Sequence, residues 1–407
     1  MTDRLYYTDP YLQAFDATIA RVDRRDDRLV LTLDRTAFYP TSGGQPFDTG
    51  RLGPLRVVDV IDEDDGSISH VVEGPALHPG DAVHGEIDWA RRFDHMQQHS
   101  GQHVLSAAFD KLFGVRTVSF HLGGAVSTID LAREMSPAEI AAAETEANRI
   151  VWDDRPVTIR FVDAEEAARL PLRKEPARPG TLRLIDVDGF DLSACGGTHV
   201  ARTGGIGVIA VASWERFKGG QRLEFLCGGR ALTGYRTLRD AMTASVRLLS
   251  VLPGELPAAI ERLQADAKEQ KRSMVALQGD LARYHAEELA AGAEEVRLKP
   301  DTTVTCRLVA RAIDADANGL KVLAAAIAAK PGYLVVLVSS STPALAVVAR
   351  SANVGISAQQ LLTALIAQFG GRGGGKPELA QGGGLTASPD GILNAARAVI
   401  LATEAQR

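Results

Sequence analysis

The sequence predicts a multidomain α+β protein with a small N-terminal β-barrel, an α+β domain, a helical linker and a C-terminal α/β domain. Three observations predict this organisation. Short β-rich runs fill the first part of the chain, a long charged stretch with helical apolar periodicity follows the middle, and strand and helix patterns alternate after it. A chain of 407 residues has room for about two to four domains. We place them at residues 1–90, 91–240, 241–299 and 300–407.

The first domain contains short runs rich in β-branched residues, separated by Asp, Gly and Pro. These runs are residues 18–22, 29–33, 55–61 and 68–72. Short strands at regular spacing indicate a small barrel or a sandwich. A loop at residues 38–46 interrupts them, and its adjacent Gly43 and Gly44 permit the positive φ that a turn against a ligand needs. A plain hairpin connection is the simpler interpretation.

The second domain opens with a helix pattern over residues 91–113, with Val104, Leu105, Ala108 and Leu112 as its apolar face. A second helix is expected at residues 137–151. Its start is marked by Ser136 and Glu139, which form a capping-box pattern with Pro at the first helical position. Antiparallel strands are predicted at residues 117–121, 126–130, 157–162 and 182–187.

Two short motifs in this domain, HSGQH from His99 and CGGTH from Cys195, indicate a metal site. Histidines four apart on a helix point the same way, so His99 and His103 form one candidate ligand pair. Cys195 and His199 would complete a four-ligand set of the kind that zinc prefers. Because His95 lies four residues before His99, the pair His95 and His99 is equally permitted by spacing.

The last two segments differ in pattern. Apolar residues recur at mostly three- or four-residue steps across residues 254–298, among charged neighbours, which predicts a helical hairpin or coiled-coil linker. The last domain alternates strand candidates with helix candidates. The strands are residues 304–308, 334–339 and 344–348, and the helices are residues 319–329, 357–368 and 390–404.

A glycine-rich stretch in the last domain, residues 370–377, nearly fits a nucleotide-binding P-loop. However, Pro377 replaces the Ser or Thr that binds magnesium, and the stretch follows a helix where a strand is required. We therefore expect a flexible loop, or a backbone surface for phosphate or RNA.

Composition excludes several classes of protein. The chain is 45% hydrophobic and 24% charged, as in ordinary globular proteins, and its three cysteines favour a reducing, cytoplasmic compartment over a disulfide scaffold. We find no signal peptide and no membrane-spanning run. The net charge of −6 excludes a generally basic nucleic-acid binder. Any RNA contact must come from local patches such as residues 169–183 or 216–230.

Four ordered motifs, which cover almost the whole chain, resemble alanyl-tRNA synthetase. Residues 36–46, TAFYPTSGGQP, with the following Asp48-Thr49-Gly50, look like the glycine motif of the synthetase's editing region. HSGQH and CGGTH match its two zinc-ligand pairs, and residues 215–232 resemble the strand and turn after them. Residues 370–384 look like the signature of the DHHA1 domain. The chain opens directly with the β region, without an aminoacylation domain or a helical tRNA-recognition domain. This pattern resembles the freestanding alanyl-tRNA editing proteins of the AlaX group, in their long form.

This resemblance implies a fold, a reaction and a partner. Zn²⁺, one ion per chain, would be held by His99, His103, Cys195 and His199, with His95 as a neighbour only. The substrate would be tRNA(Ala) carrying a wrong amino acid, chiefly serine and also glycine. The C-terminal domain would dock tRNA and form a homodimer, with no membrane association. The candidate tRNA-binding residues are Arg222, Arg372 and Lys376.

Editing chemistry suggests further site residues. A hydrolase for an activated ester needs a placed water, a stabilised oxyanion and a hydrogen-bond partner for the seryl hydroxyl. Candidates for contact with the substrate, all within or beside the motifs, are Thr41, Ser42, Gly43, Gly44, Gln102 and Thr198. Candidate general bases are His121 and Glu215. Zinc either activates water or holds the pocket, because four protein ligands usually mark a closed structural site.

The chain departs from the family pattern at one pair of residues, and two other functions compete with editing. Synthetase editing domains tend to have Gln-Lys where this chain has Phe120-His121, which can alter substrate preference. The protein could instead be a non-catalytic tRNA-binding or assembly module derived from the synthetase. A phosphoesterase of the DHH type is disfavoured, because its Asp-His-His cluster is broken here: Asp94-His95 is followed by Met96.

Overall fold

A computed structural model describes residues 1–173, 180–297 and 305–402. The chain divides into two compact units, Met1–Leu248 and Leu249–Arg407. None of the helices in the described ranges is long and apolar enough to cross a membrane. Four expectations reach beyond these ranges: the last residue of the helical stretch at 254–298, the first residue of the strand at 304–308, the end of the helix at 390–404, and the middle of the basic segment at 169–183.

The first unit begins with a closed barrel. Six antiparallel strands form it in the order β2-β3-β7-β6-β5-β8. In chain order the strands here are β1 (Asp3–Arg4), β2 (Ala14–Arg25), β3 (Arg28–Leu33), β4 (Arg35–Thr36), β5 (Gly50–Leu52), β6 (Leu55–Asp62), β7 (Ile68–Glu73) and β8 (Ala82–Ile87). Alternate residues of the strands point into the barrel and fill its interior. On β8, for example, Val83 and Ile87 are buried and their neighbours are exposed. The barrel, rather than the sandwich, is the architecture found.

The long helix α1 (Trp89–Phe113) follows the barrel. Asp88 caps it by accepting a hydrogen bond from the Arg91 backbone N–H, and Gly114 ends it in the left-handed conformation, with φ 64°. Val104, Leu105 and Ala108 are buried as predicted, but Leu112 is 45% exposed. The prediction was wrong for Leu112, because the buried face ends one turn earlier, at Phe109.

Two antiparallel sheets complete the first unit, in the orders β14-β15-β10-β9 and β11-β12-β13. α1 and α2 share a hydrophobic core with one face of the four-stranded sheet. The predicted capping box at Ser136 and Glu139 is present at the start of α2. The elements after α1 are β9 (Thr117–Leu122), β10 (Ser127–Leu131), α2 (Pro137–Trp152), β11 (Val157–Val162), α3 (Ala164–Ala167), β12 (Leu182–Val187), β13 (Asp191–Ala194), β14 (Ile209–Phe217), β15 (Gly220–Cys227) and α4 (Gly229–Leu249).

A buried ion pair ties α1 to the barrel. Arg92 and Asp48 are both fully buried, and Arg92 Nε lies 2.9 Å from Asp48 Oδ2. Arg92 also donates to the Pro10 carbonyl at 2.9 Å, and the same carboxylate accepts from the Tyr39 backbone N–H at 2.7 Å. The helix that carries the first histidine pair therefore starts from a fixed position on the barrel.

The second unit contains α5, a continuous helix of 36 residues, and a six-stranded sheet in the order β16-β17-β18-β19-β21-β20. Its elements are α5 (Leu256–Ala291), β16 (Glu294–Arg297), β17 (Thr305–Ile313), α6 (Ala317–Ala328), β18 (Tyr333–Ser339), β19 (Ala344–Arg350), α7 (Ala358–Phe369), β20 (Arg372–Gly375), β21 (Leu379–Leu385) and α8 (Pro389–Ala402). Ala286 and Ala290 at the end of α5 pack in one core with α6. The end of this helix thus belongs to the core of the C-terminal unit.

The glycine-rich stretch is an edge strand, not the flexible loop expected from the sequence. β20 pairs antiparallel with β21 and is exposed along its length. A side chain at Gly373 would collide with the backbone of Gly382 on β21. Glycine on both strands therefore permits an approach that other residues would prevent.

Candidate metal centre

The two motifs meet in the first unit. α1 supplies His99 and His103, while the loop after β13 supplies Cys195 and His199. One ligand atom from each of the four residues lies within 4.8 Å of the others, and all but Cys195 are fully buried. The His99 and His199 rings have centroids 4.5 Å apart, and those of His103 and His199 are 4.7 Å apart. The ligand set expected from the sequence is therefore assembled in space.

Each imidazole of the cluster has its Nδ1 engaged outside it. Nδ1 of His99 lies 2.8 Å from Gln45 Oε1, and Nδ1 of His103 lies 3.0 Å from Asp191 Oδ2. Nδ1 of His199 lies 3.3 Å from Ser100 Oγ. This arrangement fixes each ring and leaves Nε2 for the interior of the cluster.

The donor set and its spacing fit zinc. Nε2 of His99 and Nε2 of His199 lie 3.3 and 3.4 Å from Cys195 Sγ. Tetrahedral zinc with bonds of about 2.0 Å to nitrogen and about 2.3 Å to sulfur separates such atoms by about 3.5 Å. Burial opposes a charge on the Cys195 thiol, but His99 and His199 hold its pKa well below the usual value. A thiolate is the form that binds a metal.

The histidine ladder is resolved by geometry. His95 is buried but does not belong to the group of ligand atoms. Burial, with the nearby Arg91 cation, lowers its pKa to about 4. Its Nδ1 has no hydrogen-bond partner among the described residues. His99 and His103, rather than His95 and His99, are the pair that meets Cys195.

The glycine motif forms a hairpin beside the cluster. Ser42 and Gln45 exchange backbone hydrogen bonds of 3.2 and 2.9 Å around Gly43 and Gly44. Both glycines have positive φ, 53° and 79°, as a type I′ turn requires. The Gly44 carbonyl accepts from the Leu122 N–H at 3.1 Å, which docks the hairpin on β9. The simpler hairpin interpretation is thus correct, and the hairpin also adjoins the site.

Gln45 connects this hairpin to both ligand segments, and sequence reasoning did not single it out. Its Oε1 contacts His99 and accepts from the Thr198 backbone N–H at 3.1 Å, while its Nε2 donates to Thr198 Oγ1 at 2.8 Å. Ser100 and Asp191 were missed in the same way. The position of Gln45 directly after two glycines was the signal in the sequence that could have identified it as a site residue. No such signal marked Asp191.

The substrate-contact candidates lie in different surroundings. Thr41, Ser42, Gly43 and Gly44 are exposed on the hairpin, while Thr198 is buried and bonded to Gln45. Gln102 is buried on α1, and its Nε2 donates to Ser106 Oγ at 2.8 Å. Its Oε1 has no hydrogen-bond partner in the described part of the chain.

The two candidate bases lie on the other side of a sheet. Phe120 pairs with Ile129, which in turn pairs with Leu223, and both of these partners are buried on the face that packs against α1. The Phe120 ring lies 6.0 Å from the His99 ring. Strand residues alternate between faces, so His121 points to the opposite face. Glu215 pairs with Arg222 on that same open face, on the edge strand β14. This geometry separates both candidates from the metal ligands.

The candidate tRNA contacts are dispersed. Arg222 lies on the open face of the sheet and pairs with Asp130 at 2.7 Å. Arg372 and Lys376 flank the exposed strand β20 of the second unit. The structure therefore does not bring these three residues into one patch within either unit.

Three family models match parts of the chain. Residues 11–91, which form most of the barrel, match tRNA synthetases class II (A). Residues 182–224, which include the CGGTH motif, match the threonyl and alanyl tRNA synthetase second additional domain. Residues 305–402 match the DHHA1 domain.

The relatives include alanine–tRNA ligases that are longer than this chain. The chain is 33% identical over 397 residues to the alanine–tRNA ligase of Pyrococcus abyssi and 35% identical over 400 residues to that of Methanoculleus marisnigri. These alignments cover 94% and 95% of this chain but 42% of each ligase, so the chain spans about two fifths of their length. The solved C-Ala domain of Aquifex aeolicus alanyl-tRNA synthetase matches 26% of this chain and 97% of its own length, with 19% identity and a TM-score of 0.23.

A shorter relative matches from end to end. The alanyl-tRNA editing protein AlaX-L of Pyrococcus horikoshii is 32% identical over 411 residues, which cover 97% of this chain and 98% of that protein. Together with the family models and the ligand cluster, this similarity means that the chain belongs to the AlaX-L family of alanyl-tRNA editing proteins.

Proposed function

We propose that this protein deacylates tRNA(Ala) carrying a wrong amino acid, chiefly serine and also glycine, at a zinc ion held by His99, His103, Cys195 and His199. The observation that carries the proposal is the meeting of two distant motifs in one buried four-ligand cluster. With tRNA as its substrate, the protein would act in the cytoplasm.

The proposed reaction has a physical rationale. A synthetase pocket built for alanine cannot strongly exclude glycine by size, and discrimination by one methylene is worth only about 1–3 kcal/mol. A small polar isostere such as serine is also difficult to reject. A second site that hydrolyses the wrong ester supplies the missing selectivity.

Zinc at this site would act as a Lewis acid for the ester carbonyl and as a positioning element for the pocket. Neighbouring side chains hold the three histidine ligands in place. Asp191 anchors His103, and although burial opposes its ionisation, hydrogen bonds from His103 and Arg173 hold the pKa of Asp191 well below the usual range. Gln45 anchors His99, and Ser100 anchors His199.

Gln102 is the best-supported partner for the seryl hydroxyl among the candidates. It lies on α1 between the two histidine ligands, and its buried Oε1 is an acceptor without a partner in the described chain. A buried polar atom of this kind is costly unless a ligand or water satisfies it. Thr198 is already bonded to Gln45, and Thr41 and Ser42 lie on the exposed hairpin, where Gly43 and Gly44 allow close approach of the substrate.

The second unit supplies the proposed contact with tRNA. Arg372 begins β20 and Lys376 directly follows it. The rest of this exposed edge strand is glycine, so phosphates can approach its backbone closely. Arg222 would add a contact from the first unit. Replacing Arg372 and Lys376 together by Ala should weaken binding and reduce its salt dependence, as measured by a titration against salt.

The C-terminal region also carries the proposed homodimer contact. Apolar side chains on α5 remain exposed in this chain, and pairing with the same helix of a second copy would bury them. These side chains are Ile260, Leu263, Met274, Leu277, Leu281 and Tyr284. Sedimentation of the wild type and of Leu277→Glu would report the oligomeric state.

Deacylation assays test the reaction itself. The assays follow hydrolysis of Ser-, Gly- and Ala-tRNA(Ala) by the wild type, by Cys195→Ala and by Cys306→Ala, a cysteine control in the second unit. We expect rapid loss of the seryl ester, slower loss of the glycyl ester, a stable alanyl ester, and inactivity in Cys195→Ala alone. If all three esters survive while tRNA still binds, the protein is a non-catalytic tRNA-binding module.

A further inference from the structure

A buried arginine next to the metal centre takes no part in the function proposed above. Arg183, on β12, is 8% exposed. Its Nη1 donates to the carbonyls of Cys195 at 2.7 Å and Gly197 at 2.9 Å, and its Nε donates to the Tyr7 carbonyl at 2.9 Å. The Arg183 carbonyl accepts from the Cys195 N–H at 3.1 Å. One residue thus holds both sides of the ligand Cys195.

The positive charge of Arg183 is compensated by groups other than a carboxylate. Among the described residues it forms no ion pair with a carboxylate, and its Nη2 is buried without a hydrogen-bond partner. A buried charge is costly unless it is compensated. The compensation comes from the three carbonyls, from the Tyr7 ring 5.5 Å from the guanidinium carbon, and from the nearby Cys195 thiolate. The arginine is therefore stabilised by the ligand loop that it holds.

The ligand loop packs closely against the His99 ring. The Cα of Gly197 lies so close to the His99 ring that an added Cβ would overlap Cε1 and Nδ1. Arg183 holds the carbonyl of this same Gly197. Arg183 also bonds the Tyr7 carbonyl, so it forms a clamp between the ligand loop and the N-terminal segment. Three residues before Tyr7, Arg4 pairs with Asp62 of β6 at 2.9 Å. The clamp therefore connects the ligand loop to the barrel.

We infer that Arg183 is a positioning residue that sets zinc affinity by clamping the Cys195–Gly197 turn against the N-terminal segment of the barrel. This inference rests on the proposed zinc site. The planar guanidinium directs several N–H donors at fixed angles, whereas a lysine ammonium cannot reach the carbonyls of both segments in the same geometry. Clamping therefore requires the planar set of N–H donors of the guanidinium, and not its positive charge alone.

Zinc affinity tests the inference, measured by competition with a chromophoric chelator on the full chain. Arg183→Met and Arg183→Lys should both bind zinc at least about tenfold more weakly than the wild type. The d–d absorption of the Co²⁺-loaded variants should shift, because the thiolate ligand is displaced. The control is Arg160→Lys, an arginine on the neighbouring strand β11, which should match the wild type. If Arg183→Met fails to fold, Arg183→Lys carries the test.

The outcomes separate the inference from the proposed function. Wild-type zinc affinity and an unchanged Co²⁺ spectrum in both variants would overturn the inference. The same result with only a lower melting temperature of the metal-free variants would show a purely structural arginine and would also overturn it. Failure of the wild type to bind zinc would remove the metal centre itself. Full rescue by lysine would show that charge suffices and would contradict the clamp.

Discussion

The two ligand segments of the metal centre reach the same point by different means. His99 and His103 belong to a 25-residue helix, whose regular geometry puts them on one face, with ring centroids 5.4 Å apart. Cys195 and His199 belong to a loop without helix or strand. That loop is held by side chains from elsewhere, namely Gln45, Ser100 and Arg183. Local backbone geometry is enough for the first pair, and long-range contacts are needed for the second.

The largest expected effect comes from breaking the anchor of the helical pair. Arg92→Met would leave Asp48 as an unpaired buried carboxylate and lower the free energy of unfolding of the first unit by about 3–5 kcal/mol. Denaturant unfolding followed by tryptophan fluorescence measures this, because Trp89, Trp152 and Trp214 all lie in the first unit.

The matched control for this anchor is a surface ion pair. Arg133 bonds Glu139 at 2.9 Å, but its side chain is 47% exposed. Arg133→Met should therefore change the free energy of unfolding by no more than about 1 kcal/mol. Equal losses in the two variants would contradict the assignment of Arg92 as the anchor.

The loop pair is broken most directly at Gly197. In Gly197→Ala the new methyl group would overlap the His99 ring, so either the ligand or the loop must move. We expect zinc affinity to fall about 100-fold and deacylation to be lost with it. In Gly196→Ala the methyl group would lie at an ordinary 3.6 Å from the Tyr7 hydroxyl, and affinity should be retained. Loss in both variants would point to general flexibility of the loop rather than to contact with His99.

A buried histidine outside the cluster, His70, can be compared with the histidine ligands. His70, inside the barrel, has both ring nitrogens bonded to protein, to Thr36 Oγ1 at 2.8 Å and to the Leu31 carbonyl at 3.1 Å. Burial lowers its pKa to about 4 from the ordinary 6.5. Well above pH 6.5 the ring is neutral in both the folded and the unfolded state, so the contribution of His70 to the free energy of unfolding is fully present there. As the pH falls from 6.5 towards 4, only the unfolded state takes up the proton, and stability is lost.

This loss should reach about 2 kcal/mol at pH 5. Unfolding free energies measured between pH 7 and 5 for the wild type and for His70→Gln check it, since the variant lacks the titrating group. We expect the wild type to lose more stability than the variant over this range. Parallel curves would show that His70 is not buried in its neutral form.

The smallest expected effects concern the outer partners of the ligand rings. Asp191 presents a carboxylate to His103 at 3.0 Å, whereas Ser100 presents a neutral hydroxyl to His199 at 3.3 Å. Asp191→Asn should reduce zinc affinity about tenfold, and Ser100→Ala by no more than about threefold. The same chelator competition ranks them, with Ser245→Ala, a partly exposed serine on α4, as control. If Ser100→Ala weakened zinc binding more than Asp191→Asn, then the position of the loop that carries His199, rather than the carboxylate charge beside His103, would control zinc affinity.

Much of the fold was predictable because its signals are local. The capping box at Ser136 and Glu139 fixes the start of α2, and alternating β-branched runs predict four of the barrel strands. The strands β5 (Gly50–Leu52) and β8 (Ala82–Ile87) were missed. In β5, three residues carry no period that distinguishes a strand from a turn. The glycine-rich β20 was expected as a loop, since its pairing depends on glycines of a different strand.

The sequence by itself determined the ligand types, because His at a four-residue spacing and a Cys-Gly-Gly-Thr-His turn are local chemistry. Spacing alone did not choose between His95 and His103, and only the family resemblance favoured His103. The sequence could not place His121 or Glu215, did not single out Gln45, and assigned Arg183 only to a basic segment. Those assignments depend on which strand faces α1 and on which carbonyls surround a buried guanidinium. Such contacts join residues as far apart as Tyr7 and Arg183, and only the packed tertiary structure brings them together.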